Sequence, residues 1–201
     1  MGKIIETLRK TLDKSEYPAK SADAREWFQG QVEMMRGKIN RTALLTDEGV
    51  RRVATPKPGY MYMFVYDPKY KDILPYYDRF PLVIYVAPDA NGTGFFGLNL
   101  HYLNPNVRAI FLDTLFETFG RGDEPDANTR LRIRMSTLTR VRRMRQFAPC
   151  LKHYLFDHMV TLPSLVNPTD WEIAIFLPTE HFKGASRQTV WKESRSQYTR
   201  S

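Results

Sequence analysis

Three short apolar runs, separated by turn residues, mark the centre of the chain. They are rich in aromatic and β-branched residues, as β-strands are, and they cover residues 60–66, 80–86 and 95–100. The segment from Asp89 to Gly94 contains Asn-Gly, which accepts the positive φ angles of tight loops and therefore predicts a hairpin. The pattern predicts a small, curved antiparallel sheet or an SH3-like barrel.

Helical spacing dominates the residues before this sheet. Apolar positions in residues 1–14 recur at helical intervals, and a second helix is predicted from about Ala22 to Lys38. Residues 39–58 are polar, with two late prolines, and are predicted to form a linker. The first 57 residues are therefore predicted as a helical arm that either packs on the domain or reaches a neighbouring subunit.

Further helices are predicted after the third strand. Asn104-Pro105 is a favourable helix start, and Gly120 a favourable end. Residues 129–147 are rich in Arg, Leu and Met and are predicted as a helix, although part of the run also alternates as a strand would. Residues 150–160 follow Pro149 and are predicted as a short amphipathic helix.

The last elements complete an α+β fold with helices inserted before its final part. Residues 161–166 are predicted as a strand that returns to the sheet, and a helix is predicted to begin near Trp171 and to end at Pro178. The core domain is predicted over residues 58–182. Residues 183–201 are predicted as an exposed basic tail, disordered or ordered by a partner.

Charge and cysteine content narrow the class of protein. The net charge is +8, with a pI near 9.6, which favours a polyanionic partner. Cys150 is the single cysteine, so an intramolecular disulfide and a cysteine-based zinc site are excluded. No signal peptide and no apolar run of membrane-spanning length is visible. The protein is therefore expected in the cytoplasm or in a particle assembled there, without membrane contact.

A run of arginines is the strongest functional signal. No acidic residue lies between Asp126 and Asp157, and arginine pairs bidentately with phosphate. The run predicts sequence-independent contact with a nucleic-acid backbone; alternatively, it pairs with acidic residues of the 120–128 loop or of another protein. Its members are Arg130, Arg132, Arg134, Arg140, Arg142, Arg143 and Arg145.

Two other motifs give weak signals. Gly92, Gly94 and Gly97 spell G-x-G-x-x-G, but they lie in a hairpin rather than between a strand and a helix, so no dinucleotide site is expected. A second candidate is a group of carboxylates within a tyrosine-rich loop, which could hold magnesium as a nuclease requires, although Asp-Pro is also ordinary turn chemistry. These carboxylates are Asp67, Asp72 and Asp78.

The histidines are weak catalytic candidates. His153 and His158 are five residues apart, a poor spacing for one metal on a helix. With Cys150 they could form a nucleophilic pair, but no orienting third group is visible. His101 is expected to be buried and hydrogen-bonded. No catalytic residue, metal site or cofactor is predicted.

Several segments of the chain resemble a protein family of T4-like contractile-tailed bacteriophages. The resemblance covers roughly residues 58–192 and implies a virion protein, labelled in some cases a DNA end protector of the head–neck region. Such a protein would meet packaged DNA or plug the connector. The segments that carry the resemblance are YDPKYKDILPYYDRFPLV, GFFGLNLHYL, APCLKHYL, WEIAIFLP and HFKG.

The sequence thus predicts a non-enzymatic structural component of a tailed-phage virion in a symmetric assembly. It would contact other virion proteins through its ends, and the arginine run would contact DNA or an acidic subunit surface. Two alternatives remain open: a magnesium-dependent phage nuclease that uses the three carboxylates, and a purely protein-binding tail or baseplate adaptor.

Overall fold

The computed structural model describes residues 40–46, 50–119 and 145–199, together with single helical positions at 26 and 30. The described α-helices are α1 (Arg41–Thr46), α2 (Pro105–Phe119), α3 (Trp171–Ala174) and α4 (Arg187–Thr199). The strands are β1 (Met61–Met63), β2 (Tyr77–Asp78), β3 (Leu82–Pro88), β4 (Gly94–Asn99), β5 (Leu151–Leu155), β6 (Ser164–Val166) and β7 (Phe182–Lys183). None of the helices in these ranges is long and apolar enough to cross a membrane.

Five strands form the main sheet, in the order β5-β4-β3-β1-β6, and every described pair is antiparallel. β2 and β7 form a separate two-stranded sheet. The predicted α+β fold with an antiparallel sheet is confirmed. Among the described strands the sheet is open, with β5 and β6 at its edges. Of the two predicted forms, the antiparallel sheet is therefore correct and the SH3-like barrel is wrong.

Side chains on the two faces of the sheet enter two different clusters. Met61 and Met63 face a large apolar core that the helices complete, whereas Tyr62 and Phe64 enter an aromatic cluster on the other face. Successive side chains of a strand point to opposite faces. The central strands read as continuous apolar runs because both faces of the sheet are covered.

The predicted hairpin joins β3 to β4. Gly92 has a φ of 69°, and the Asp89 carboxylate accepts hydrogen bonds from the Thr93 backbone N–H and hydroxyl at 3.0 Å each. The carboxylate therefore fixes the loop, while the glycine supplies its left-handed residue.

Helix α2 begins where the sequence predicts it. The Asn104 side chain accepts a hydrogen bond from the Val107 N–H at 3.1 Å, and Pro105 is the first helical residue. An N-cap side chain satisfies one of the free N–H groups of the first turn. The helix continues to Phe119, the residue before Gly120.

The helix predicted over residues 150–160 is wrong. Leu151–Leu155 forms strand β5, which pairs with β4, and Phe156–His158 forms one 3-10 turn. Tyr154 lies opposite Phe95 in the ladder and stacks on it with a centroid separation of 5.4 Å. Pairing with β4 buries this tyrosine in the aromatic cluster, and that tertiary contact outweighs the local helical spacing.

In the last third of the chain, two predictions are confirmed and one is wrong. Ser164–Val166 pairs with β1 as predicted, and the predicted helix begins at Trp171 after a 3-10 turn. The tail, in contrast, is not simply exposed: it forms helix α4, on which Val190 is fully buried. The proposed domain limits at 57 and 182 remain predictions.

Candidate functional site

A cleft of about 310 Å³ opens where the 67–76 loop meets strands β4 and β5. Loop and strands bring polar and aromatic side chains from three separate parts of the sequence to its wall: residues 66–78, 99–102 and 152–155. Two lysines, Lys69 and Lys152, also line it. Its tyrosines are Tyr66, Tyr70, Tyr76, Tyr77, Tyr102 and Tyr154.

The inner wall of this tyrosine cleft is rigidly packed. The rings of Tyr66 and Tyr154 meet edge to face with centroids 4.9 Å apart, and both side chains are buried. The Tyr66 hydroxyl accepts a hydrogen bond from the Leu155 N–H at 3.1 Å. Burial raises the pKa of Tyr66 and of Tyr154, so both phenols stay protonated and can act as hydrogen-bond donors.

The rim is more open and carries positive charge. The Lys152 ammonium lies 4.0 Å from the centroid of the Tyr102 ring, and that of Lys69 lies 5.5 Å from the Tyr70 ring. Within the described ranges, neither lysine forms a salt bridge with a carboxylate. Burial lowers the pKa of Lys152, because a desolvated ammonium loses hydration. An anionic ligand would stabilise this ammonium group by supplying the negative charge that it lacks.

The floor is a saturated polar network around Asp78. Its carboxylate accepts hydrogen bonds from the Asn99 amide at 3.1 Å, the Phe80 N–H at 3.0 Å and the His181 N–H at 3.1 Å. It also lies 2.7 Å from His101 Nδ1. Burial alone would raise the pKa of Asp78, but His101 and the hydrogen-bond donors outweigh it and hold the pKa below its usual value.

His101 confirms the expectation of a buried, hydrogen-bonded residue. It is 0% exposed, and its second ring nitrogen, Nε2, lies 3.1 Å from the Thr179 hydroxyl. The ring therefore joins the floor of the cleft to the segment after α3. Both nitrogens are engaged, which makes His101 a structural link.

The three carboxylates considered for magnesium are not brought together as a site. Asp67 pairs with Lys71 at 2.8 Å on the surface, whereas Asp78 is buried in the network with His101. Asp72 is exposed in the loop between them. The described residues contain no group of three or more His, Cys, Asp or Glu that could hold a metal ion.

The other candidate groups have structural surroundings. His153 Nε2 lies 3.1 Å from the Asp89 carboxylate of the hairpin, and His158 Nδ1 lies 2.9 Å from the Asp67 carbonyl. Cys150 is buried, and burial raises the pKa of its thiol to about 12, so the thiolate nucleophile is disfavoured. Among the described residues, no hydrogen bond joins the Cys150 thiol to either histidine, as a Cys–His pair would require.

The glycine motif serves strand pairing. A Cβ at Gly94 would collide with the Tyr154 carbonyl oxygen, and one at Gly97 with the Val83 side chain. Both glycines lie inside β4, so they allow close approach of neighbouring strands and do not form a phosphate-binding loop.

The arginine run lies almost entirely outside the described residues. Arg145 begins a 3-10 helix that ends at Cys150, and the side chains of all seven arginines fall outside the description. Their assignment to DNA or protein remains a prediction. The sequence analysis does not predict the tyrosine cleft. The pattern that indicates it is the density of tyrosine and lysine in residues 66–77, which include four tyrosines and two lysines.

Comparison with known proteins identifies the family of the chain. No curated protein and no solved structure matches it. A family model described as "Phage T4 terminal DNA protecting protein" matches residues 3–194, nearly all of the 201-residue chain. This match confirms the resemblance to a T4-like phage family and extends it over the N-terminal arm. The chain belongs to the phage T4 terminal DNA protecting protein family.

Proposed function

We propose that this protein covers the ends of packaged phage DNA as a non-enzymatic component of the virion. The family match over residues 3–194 carries the proposal, because the family description itself names protection of terminal DNA. We place the protein at the head–neck region, where it would contact other virion subunits in a symmetric assembly. It would be part of the virion, which is assembled in the host cytoplasm.

The charge of the chain supports contact with DNA. The net charge of +8 favours a polyanion, and the arginine run provides up to seven guanidinium groups in a stretch without acids between Asp126 and Asp157. Such a surface binds the phosphate backbone irrespective of base sequence and releases counterions on binding. A protein that must cover ends of varying sequence needs binding of this kind.

The surroundings of the candidate catalytic groups support a structural role. All the carboxylate contacts of Asp78 are made within the fold, and the Cys150 thiol is buried. These groups stabilise the domain that carries the tyrosine cleft.

A protection assay tests the proposal. Linear duplex DNA is incubated with the full-length protein and then with a processive exonuclease that requires an end. Full-length DNA should survive in proportion to the protein added. A variant with four arginines of the run changed to alanine should protect much less; the changed residues are Arg140, Arg142, Arg143 and Arg145.

A charge-matched control distinguishes the effect of the arginine run on protection from the effect of net charge. Four exposed basic residues elsewhere are changed to alanine, and this control should protect as the unaltered protein does; they are Arg52, Lys57, Lys183 and Lys192. Absence of both protection and DNA binding at low salt would overturn the proposal in favour of a protein-binding adaptor. Degradation of DNA by the protein itself, only with magnesium, would favour a nuclease.

A further inference from the structure

The tyrosine cleft has the dimensions and chemistry of a ligand site. Its volume of about 310 Å³ is at the lower end of the range of small-molecule pockets, which is about 300–1,000 Å³. Six tyrosines line the wall, and two ammonium groups and an amide supply polar contacts. A flat aromatic ligand that carries an anionic group fits this combination.

The two lysines that line the cleft have no carboxylate partner within the described ranges. The acids nearest to them in the loop and the hairpin contact other side chains: Asp67 pairs with Lys71 at 2.8 Å, and Asp89 lies 3.1 Å from His153. Asp72 is exposed and does not line the cleft. Asp78 at the floor is enclosed by four hydrogen-bond donors. Lys69 and Lys152 therefore remain to meet an anion entering from solvent.

The loop that borders the cleft is unusually apolar for a surface segment. Tyr70 is 59% exposed, Ile73 80% and Leu74 41%. The same loop is held at its base by the hydrogen bond from the Asp67 N–H to the His158 carbonyl at 3.0 Å. Exposed aromatic and aliphatic side chains next to a basic rim are suited to stacking against bases, whereas the lysines suit phosphate.

We propose that the tyrosine cleft binds the terminal nucleotide of a DNA end, with the base among the tyrosines and its phosphate at Lys152 and Lys69. This inference rests on the proposed function and adds the site that distinguishes an end from the rest of the duplex. A terminal base has a stacking neighbour on one side only, so removing it from the duplex is less costly than removing an internal base. The arginine run would supply affinity along the backbone, and the cleft would supply preference for the end.

The experiment uses the full-length protein and short duplexes that carry the fluorescent base 2-aminopurine either at the end or in the middle. Entry of the terminal base into the cleft should change the fluorescence of the terminal probe and leave the internal probe unchanged. Lys152→Gln and Tyr70→Ala should each lower affinity for the terminal site by roughly ten-fold. Lys192→Gln removes an exposed charge outside the cleft and should leave the signal unchanged.

Competition with covalently closed circular DNA measures backbone binding separately. The two cleft variants should keep their affinity for the circle and lose the preference for ends. Equal signals from terminal and internal probes, or full end preference in both cleft variants, would overturn the assignment of the cleft while end protection could still hold. If the unaltered protein neither binds linear DNA nor protects it, the proposed function fails, and the cleft assignment with it.

Discussion

The buried charges of two residues at the cleft, Asp78 and Lys152, are compensated to very different extents. Asp78 is buried with four hydrogen-bond donors around it, as buried charges in stable folds generally are. Lys152 is partly buried against an aromatic ring and, among the described residues, has no carboxylate partner. The first arrangement stabilises the domain. The second costs stability and is suited to a ligand.

Asp78→Asn should lower the free energy of unfolding by about 3 kcal/mol at neutral pH, because it leaves His101 without its buried partner. The folded-state pKa of Asp78 is lowered, so its contribution is present above the unfolded pKa and is lost as the pH falls through the folded pKa. The difference between the two proteins should therefore shrink below about pH 4. Urea unfolding at pH 7 and pH 3 measures it.

The control for this prediction is Asp72→Asn, which removes an exposed carboxylate of the neighbouring loop. It should change stability by less than about 0.5 kcal/mol. A loss for Asp78→Asn that is equally large at both pH values would contradict the role given to the carboxylate.

Lys152→Met should keep or raise stability, by up to about 1 kcal/mol, while it weakens binding of DNA ends. Burial lowers the pKa of the ammonium, so the unfolded chain holds its proton more tightly than the folded one. The stability of the unaltered protein should consequently rise relative to the variant as the pH increases from neutral toward 10.5, the ordinary lysine value. Thermal unfolding across this range measures the difference. A large loss of stability at neutral pH would instead indicate a structural lysine.

Strand β4 is the element on which the site depends. It lies between β3 and β5, provides Asn99 to the floor of the cleft, and brings the backbone of neighbouring strands close to its glycines. At Gly94 the obstacle to a side chain is the Tyr154 carbonyl, which is backbone and cannot move without disturbing β5.

Gly94→Ala should therefore lower the free energy of unfolding by about 1–3 kcal/mol. The comparison is Gly92→Ala in the hairpin, where a Cβ meets open space but the φ of +69° is unfavourable for alanine, at a cost of about 1–2 kcal/mol. Only the first change should also alter the aromatic signal of Tyr154 in near-ultraviolet circular dichroism. An unchanged aromatic signal in Gly94→Ala would contradict the close packing of β4 and β5.

Helix α4 packs on the domain next to the floor of the cleft. Val190 is fully buried, and the Trp191 indole N–H donates a hydrogen bond to the His101 carbonyl at 2.8 Å. Val190→Ala removes two buried methyl groups and should cost about 2 kcal/mol in chemical unfolding. Lys192→Ala, on the exposed side of the same helix, should be neutral. Equal effects of the two changes would show that the helix does not pack on the domain.

The sequence predicts best those elements whose conformation is set by residues close together in the chain. Asn-Gly in the hairpin and Asn104-Pro105 at the start of α2 act through their own backbone preferences. The local spacing of strand β5 predicts a helix, but its conformation depends on pairing with β4, which lies more than fifty residues earlier in the chain. The sequence also predicts that His101 is buried, but it does not predict its hydrogen-bond partners. These partners, Asp78 and Thr179, are 23 and 78 residues away in sequence.

At the scale of the whole molecule, the proposed function divides recognition of DNA between two features. The net charge of +8 and the arginine run favour any duplex, whereas the tyrosine cleft is a local concave site. Backbone contacts alone do not distinguish an end from the interior. A protein that combines both would bind anywhere on DNA and remain longest at an end.

The salt dependence of binding tests this division. Each phosphate contact contributes about −0.9 to the slope of log K against log salt concentration. Alanine at Arg140, Arg142, Arg143 and Arg145 should therefore make the slope shallower by about 3 to 4. The cleft variant Tyr70→Ala, which removes no charge, should lower affinity for ends at every salt concentration and keep the slope. Fluorescence anisotropy with linear duplexes between low and moderate salt measures both. An unchanged slope in the arginine variant would assign the run to a protein interface, and the charge that holds DNA would then have to lie elsewhere on the molecule.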